Sequence, residues 1–236
     1  MSEAAVTAAM PPSESELSRI VAALEEDIIF GRLAPGQRLI EDVLMARFSA
    51  TRHVIRQALG ELQRTGIVIR ERNIGAAVRS YAREEVLQIY EVREFLQRQA
   101  ALMIALPAPE PLIRQLEALN AAYRAAAARG DLRAVHEAND AFHIALFSAC
   151  GNQYLTGSIK HYMNLSLPMR AKTLAEPEAF KISQRHHAIM IELLQENDKW
   201  ALAQICADHV QPSKRDYLKL ADESAALLNA NGNSRI

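Results

Sequence analysis

The chain has 236 residues, half of them hydrophobic, with 27 basic and 28 acidic side chains and a formal net charge of −1. That is enough apolar material for one large domain or two smaller ones, and overall charge points neither to nucleic acid nor to a membrane. Cys150 and Cys206 stand far apart with no CxxC pair, so neither a zinc knuckle nor a disulfide framework is indicated, and a reducing cytoplasm is the expected setting. No apolar run reaches the ~18 residues of a membrane span. The first residues lack the basic start and apolar core of a signal peptide.

Residues 1–12 read as a flexible arm and 223–236 as a flexible tail. Between them the spacing predicts a helix from about Ser13, where "SESE" offers a capping box with Glu16, and Gly31 ends it. "LAPGQRL" is a turn. A short helix "EDVLMARF" and a longer one "TRHVIRQALGELQRTG" follow, then two β-like runs, "IVIRE" and "AAVRS", joined by "RNIG". From about Arg83 helices are expected over 83–106, 110–129, 132–150, 153–169, 179–196 and 199–222, with short breaks, as in an antiparallel bundle. The expected fold is therefore mainly α. A winged helix-turn-helix fills 13–80, and an all-α bundle of about six helices fills 83–222.

The longer N-terminal helix would bury Ile55, Ala58, Leu59 and Leu62 and turn Arg52, His53 and Arg56 outward, with Thr51 as its N-cap. A helix entering the major groove reads bases with its first residues, and arginine grips guanine or phosphate. From Arg47 to Arg79 seven arginines, Arg72 among them, face only Glu61 and Glu71, a local basic surplus in a nearly neutral chain. Arg47, Thr51, Arg52, His53, Arg56, Arg72 and Gly75 are the expected DNA contacts. The segment from "GRLAPGQRLIEDVL" to "RNIGAAV" resembles the N-terminal domain of GntR-type transcription regulators. It carries Pro35, Gly36 and Leu39, Glu41 and Leu44, Arg52 and Arg56, Ala58 and Leu59, Gly66, and Gly75 at the wing tip. Met45, Thr51 and Val54 depart from that pattern without removing a basic contact.

In "AVHEANDAFHIAL" the inward stripe holds Asn139 and His143 four residues apart, one above the other on a helix face. A lone inward histidine is more often a hydrogen-bonded core residue than a ligand. His187 and His209, however, lie 22 residues apart about a turn near "ENDK", so an antiparallel hairpin brings both to the same height, ~15 Å from the turn at ~1.5 Å per residue. Three imidazoles and an amide oxygen on three helices suit a bundle-core metal site. His186 lies on a different stripe and periodicity does not exclude it. The same segments resemble the ligand-binding domain of the FadR branch of the GntR family. That resemblance selects His187 over His186 and implies a divalent ion, zinc or nickel, at Asn139, His143, His187 and His209. Asparagine at 139, where many members have aspartate, would weaken it. The resemblance also makes Arg93, in "IYEVREFL", a carboxylate-binding residue, the alternative being a surface salt bridge with Glu94 or Glu91. Arg170 and Ser183 are further pocket candidates, and Gln97 stands where the family has glutamate.

The implied function is a homodimeric transcription regulator, expected to be a repressor, that binds a palindromic double-stranded operator under control of a small carboxylate. A metal sensor is the alternative. A metal-dependent hydrolase is disfavoured because the chain has no HExxH and no paired inward carboxylates beside the histidines.

Overall fold

The computed structural model describes residues 15–71, 75–170 and 177–219. Helix α1 (Glu16–Ile29) is capped by Ser15, whose hydroxyl accepts from the Ser18 amide. The cap is thus Ser15 rather than Ser13, which lies outside the described residues, as do the expected arm and tail. Ser15 has the extended backbone a cap requires, with its oxygen three residues before a free helix-end amide. Helix α2 (Glu41–Phe48) ends on Ser49 in the left-handed region, φ 53°, which turns the chain within two residues into α3 (Arg52–Arg64).

Strands β2 (Val68–Glu71) and β3 (Gly75–Val78) form the expected ribbon. A third strand, β1 (Arg38–Leu39), completes a sheet of order β1-β3-β2. Both residues fall within "LAPGQRL", which the sequence predicts as a turn. Two residues show no period-2 pattern; pairing with Ala77 and Ala76, and burial of Leu39, make them a strand. Ile20, Leu24, Ile55, Leu59, Leu62, Val68 and Val78 form the core of this head.

The second region holds α4 (Arg83–Met103), α5 (Glu110–Ala128), α6 (Leu132–Ser148), α7 (Gln153–Leu165), α8 (Pro177–Gln195) and α9 (Lys199–Asp208). Helix α5 lies along α6, and α4 lies along α9 and α7. Two expected helices do not run through. The one placed at 153–169 breaks at Ser166 before a helical piece at 167–170, and the one at 199–222 breaks at 209–210 before another at 211–219. Pro168 and Pro212 explain both, because each lacks the N–H that would bond back four residues and its ring crowds that carbonyl. Phe142, Leu146, Phe147, Leu116, Met190, Leu194 and Cys206 build the bundle core.

Head and bundle meet at the first of these breaks. Leu167 is buried in the head's core, and the Tyr81 hydroxyl donates to the Leu165 carbonyl. Among the described residues no helix is long and apolar enough to cross a membrane.

Candidate functional site: a recognition helix and a histidine-lined cavity

Helix α3 turns Ile55, Ala58, Leu59 and Leu62 into the head core and leaves Thr51, Arg52, His53 and Arg56 exposed together at its start. Thr51 caps it, accepting from the Val54 amide at 3.4 Å. Arg52 and Arg56 point outward but are not idle. Arg52 contacts Asp42 at 2.5 Å and Glu41 at 3.7 Å, and Arg56 donates to Glu41 at 2.9 Å. Arg47 is bonded to the buried Asp27, which also takes Arg32. Burial pushes the Asp27 carboxyl up, but the two guanidinium groups outweigh it and hold it below the usual carboxylate range. Gly75 opens β3 with φ +84° and open space around it. Arg72 lies outside the described residues.

In the bundle, His143, His187 and His209 each offer one ring nitrogen within 4.8 Å of the others. His143 and His187 are buried and His209 half-buried. The Nε2 atoms of His143 and His187 lie 3.3 Å apart. Two imidazoles bound to one zinc at about 2.0–2.1 Å in tetrahedral geometry would have nitrogens about 3.3–3.4 Å apart. The Phe142 ring stacks on His187 with centroids 4.1 Å apart, fixing that ring's plane. The Nδ1 atoms of all three are buried with no hydrogen-bond partner among the described residues. Burial pushes His143 down to about 3 against the opposing pull of Asp140, and burial, then neighbouring imidazoles, push His187 and His209 well below the ordinary value. Neutral imidazoles are what a metal needs. The donor set therefore fits a divalent ion.

Asn139 is buried one turn before His143 and lines the same cavity. Its amide nitrogen donates to Asp140 Oδ1 at 3.3 Å, which leaves its carbonyl oxygen as the atom to face a ligand. Arg93 is buried on the cavity wall and Glu94 bonds instead to Lys214, so the surface salt bridge weighed above is not formed. Arg93 Nε and Nη1 have no partner among the described residues, its guanidinium lies 5.0 Å from the Tyr90 ring centre, and burial pushes it down to about 10. Arg170 and Ser183 line the cavity too, as do Gln97 and His186. His136 sits on the far side of α6, half-buried 3.7 Å from Asp140, and His161 is exposed.

Sequence reasoning missed Asp140. Its carboxylate takes Arg170 through two bonds, 2.7 and 3.3 Å, and Arg170 holds it well below the usual range although burial pushes it up. No periodicity marks it, because its partner is 30 residues away across a helix break. Gln97 had a legible signal, since it follows Arg93 by four residues on one helix face.

Two family models match. The bacterial regulatory proteins of the gntR family cover residues 16–78, and the FCD domain covers residues 88–212, more than half the chain.

The chain belongs to the GntR family.

Its helical region is an FCD domain, the FadR-like C-terminal domain of such regulators. Relatives include the uncharacterized HTH-type regulator YdfH of Escherichia coli O6:H1, 23% identical over 91% of this chain and 93% of its own length. The HTH-type repressor RspR of E. coli K12 is 22% identical over 91% and 94%, and the gluconate operon repressor of Bacillus subtilis 24% identical over 79% and 78%. In fold the chain is similar to E. coli McbR/YncC, with a TM-score of 0.71 at 17% identity over 88% of this chain and 99% of that one. A GntR regulator from Rhodococcus sp. RHA1 gives 0.68 at 20% identity, over 86% and 97%. This GntR protein is thus a DNA-binding transcription regulator and not an enzyme.

Proposed function

We propose that this GntR regulator is a cytoplasmic, homodimeric repressor whose hold on a palindromic operator is set by a small carboxylate bound beside a divalent ion. The observation that carries the reading is the cluster of His143, His187 and His209, two of which line a cavity together with Asn139 and the buried Arg93, whose Nε and Nη1 have no partner among the described residues. His143, His187 and His209 would hold the ion, zinc or nickel, with the Asn139 carbonyl oxygen beside it. A bound ion supplies a Lewis-acid seat for a carboxylate oxygen. Arg93 supplies a planar guanidinium for the same acid group, held still by burial and by Tyr90. Arg52, His53, Arg56 and Thr51 would read and grip the operator from α3, with Gly75 at the wing, and two copies would place two such helices on half-sites.

A metal sensor, in which the ion alone is the signal, is the second reading, favoured by the burial of the imidazoles. Elemental analysis of untagged protein, loaded with zinc or nickel, should give one ion per chain, and His187→Ala should give none. Stoichiometry near zero in the parent would return the histidines to a purely structural role. Anisotropy titration against an operator selected from random duplexes then separates the readings. A carboxylate effector should shift affinity only in loaded protein with Arg93 intact, whereas a sensor responds to the ion without any acid.

A further inference from the structure

Helix α6 forms the wall between two spaces. On one side is the histidine-lined cavity, reached by Asn139, His143 and Arg170. On the other is a cleft between bundle and head, lined by Glu25, Glu26 and Ile29 of α1, by Phe30 at its C-cap, and by His136 and Asp140 of α6. The Arg170–Asp140 pair joins these spaces, the guanidinium facing the cavity and the carboxylate the cleft. Arg170 also donates through Nη2 to the Met163 carbonyl at 3.1 Å, and its buried Nε has no partner among the described residues, so that donor is open to an acceptor. Across the cleft, Glu26 is tied to Arg32, while burial, with the charge of Asp140, pushes the Glu25 carboxyl up. Glu25 and Asp140, two carboxylates, line the same cleft from opposite sides, and Arg170 at 2.7 Å, with His136 at 3.7 Å, offsets the charge of Asp140. The same arginine lies three residues beyond Leu167, whose side chain sits in the head's core.

We propose that the Arg170–Asp140 ion pair is the latch through which the cavity controls the DNA-binding head. An anion in the cavity competes with Asp140 for the Arg170 fork. Once drawn inward, Arg170 leaves Asp140 facing Glu25 and pulls on the segment anchored by Leu167, and the head swings away from α6. This rests on the reading that the cavity takes an anion, but the latch is testable without one. A ligand biases such a device only by its differential affinity for the two arrangements.

The test is amide hydrogen exchange of the full-length protein over residues 16–29 and 132–148. Arg170→Gln should speed exchange in both helices at least fivefold. Adding Glu25→Gln, a residue that touches neither Arg170 nor the cavity, should bring the rates back to within twofold of the parent, and adding Asp140→Asn should do the same. Loss of packing alone would not be rescued from across the cleft, so equal rates in Arg170→Gln with and without Glu25→Gln would overturn the latch. Should Arg170→Gln not fold, Glu25→Lys in the parent decides. The site is half-buried, and an opposite charge facing Asp140 should slow exchange in α1 at least threefold at low salt; unchanged exchange overturns the proposal. If no carboxylate binds loaded protein, the anion reading fails, while these variants still decide the latch.

Discussion

Arg52 and Arg56 occupy the start of the recognition helix already paired with Glu41 and Asp42 of α2. Exposed pairs of this kind are worth about 0–1 kcal/mol, whereas a bidentate contact to guanine is worth about 1–3 kcal/mol, so DNA wins the competition. Arg52→Ala and Arg56→Ala should each weaken operator binding by about 1–3 kcal/mol in an anisotropy titration while circular dichroism stays unchanged. Undiminished affinity in both would move the DNA surface elsewhere. The histidines give a second residue-scale expectation, for metal-free protein. Their folded values lie below the ordinary value of about 6.5, so as pH falls the unfolded chain takes protons first. Stability is therefore complete above about pH 7 and is lost as pH falls below about 6.5, by about 1.4 kcal/mol per pH unit for each ring until its folded value is reached. Urea titrations of chelated protein between pH 7 and 5 should show this, and His143→Phe should flatten the slope.

At the scale of elements, the turn after α3 is set by one glycine. Gly66 has φ +84°, and a Cβ there would meet Leu165 Cδ1 at 2.7 Å. It satisfies two demands at once, a left-handed turn into β2 and the close approach of the bundle. Gly66→Ala should cost about 1–3 kcal/mol, by the left-handed strain and the crowding of Leu165. A second substitution separates these. Leu165→Ala in the Gly66→Ala background should recover the crowding part, and denaturant midpoints that do not move on adding it would leave backbone strain as the whole cause.

For the whole molecule, the joint between head and bundle decides whether the two respond as one body. Leu167 contributes a buried side chain to the head from a segment that belongs to the bundle. Its loss to alanine should cost about 2–5 kcal/mol, most of it at the joint. Calorimetry of Leu167→Ala should then resolve a head transition below that of the bundle. A single transition shifted as a unit would show that other contacts, such as Tyr81 to Leu165 and Arg79 to Glu85, carry the coupling.

Sequence alone was enough for the elements whose signal is local. The apolar period of α3, the Thr51 cap and the 22-residue step from His187 to His209 all depend on neighbours within a turn or a hairpin, so the chain displays them directly. The family motifs in the head and bundle were legible for the same reason. What escaped were features that exist only when distant segments meet. Strand β1 is two residues given shape by β3. Arg93 stood between a cavity role and a surface salt bridge, and packing of α4 against its neighbours, not its own helix, buries it on the cavity wall. The breaks at Pro168 and Pro212 follow from the missing proline N–H, yet their consequence, Leu167 in one core and Arg170 at another domain's cavity, follows only from tertiary contacts. Asp140 is the clearest case. A carboxylate beside an inward stripe looks like any solvated residue until the arginine that neutralises it arrives from across the bundle, because charge pairing acts through space and leaves no period in the sequence.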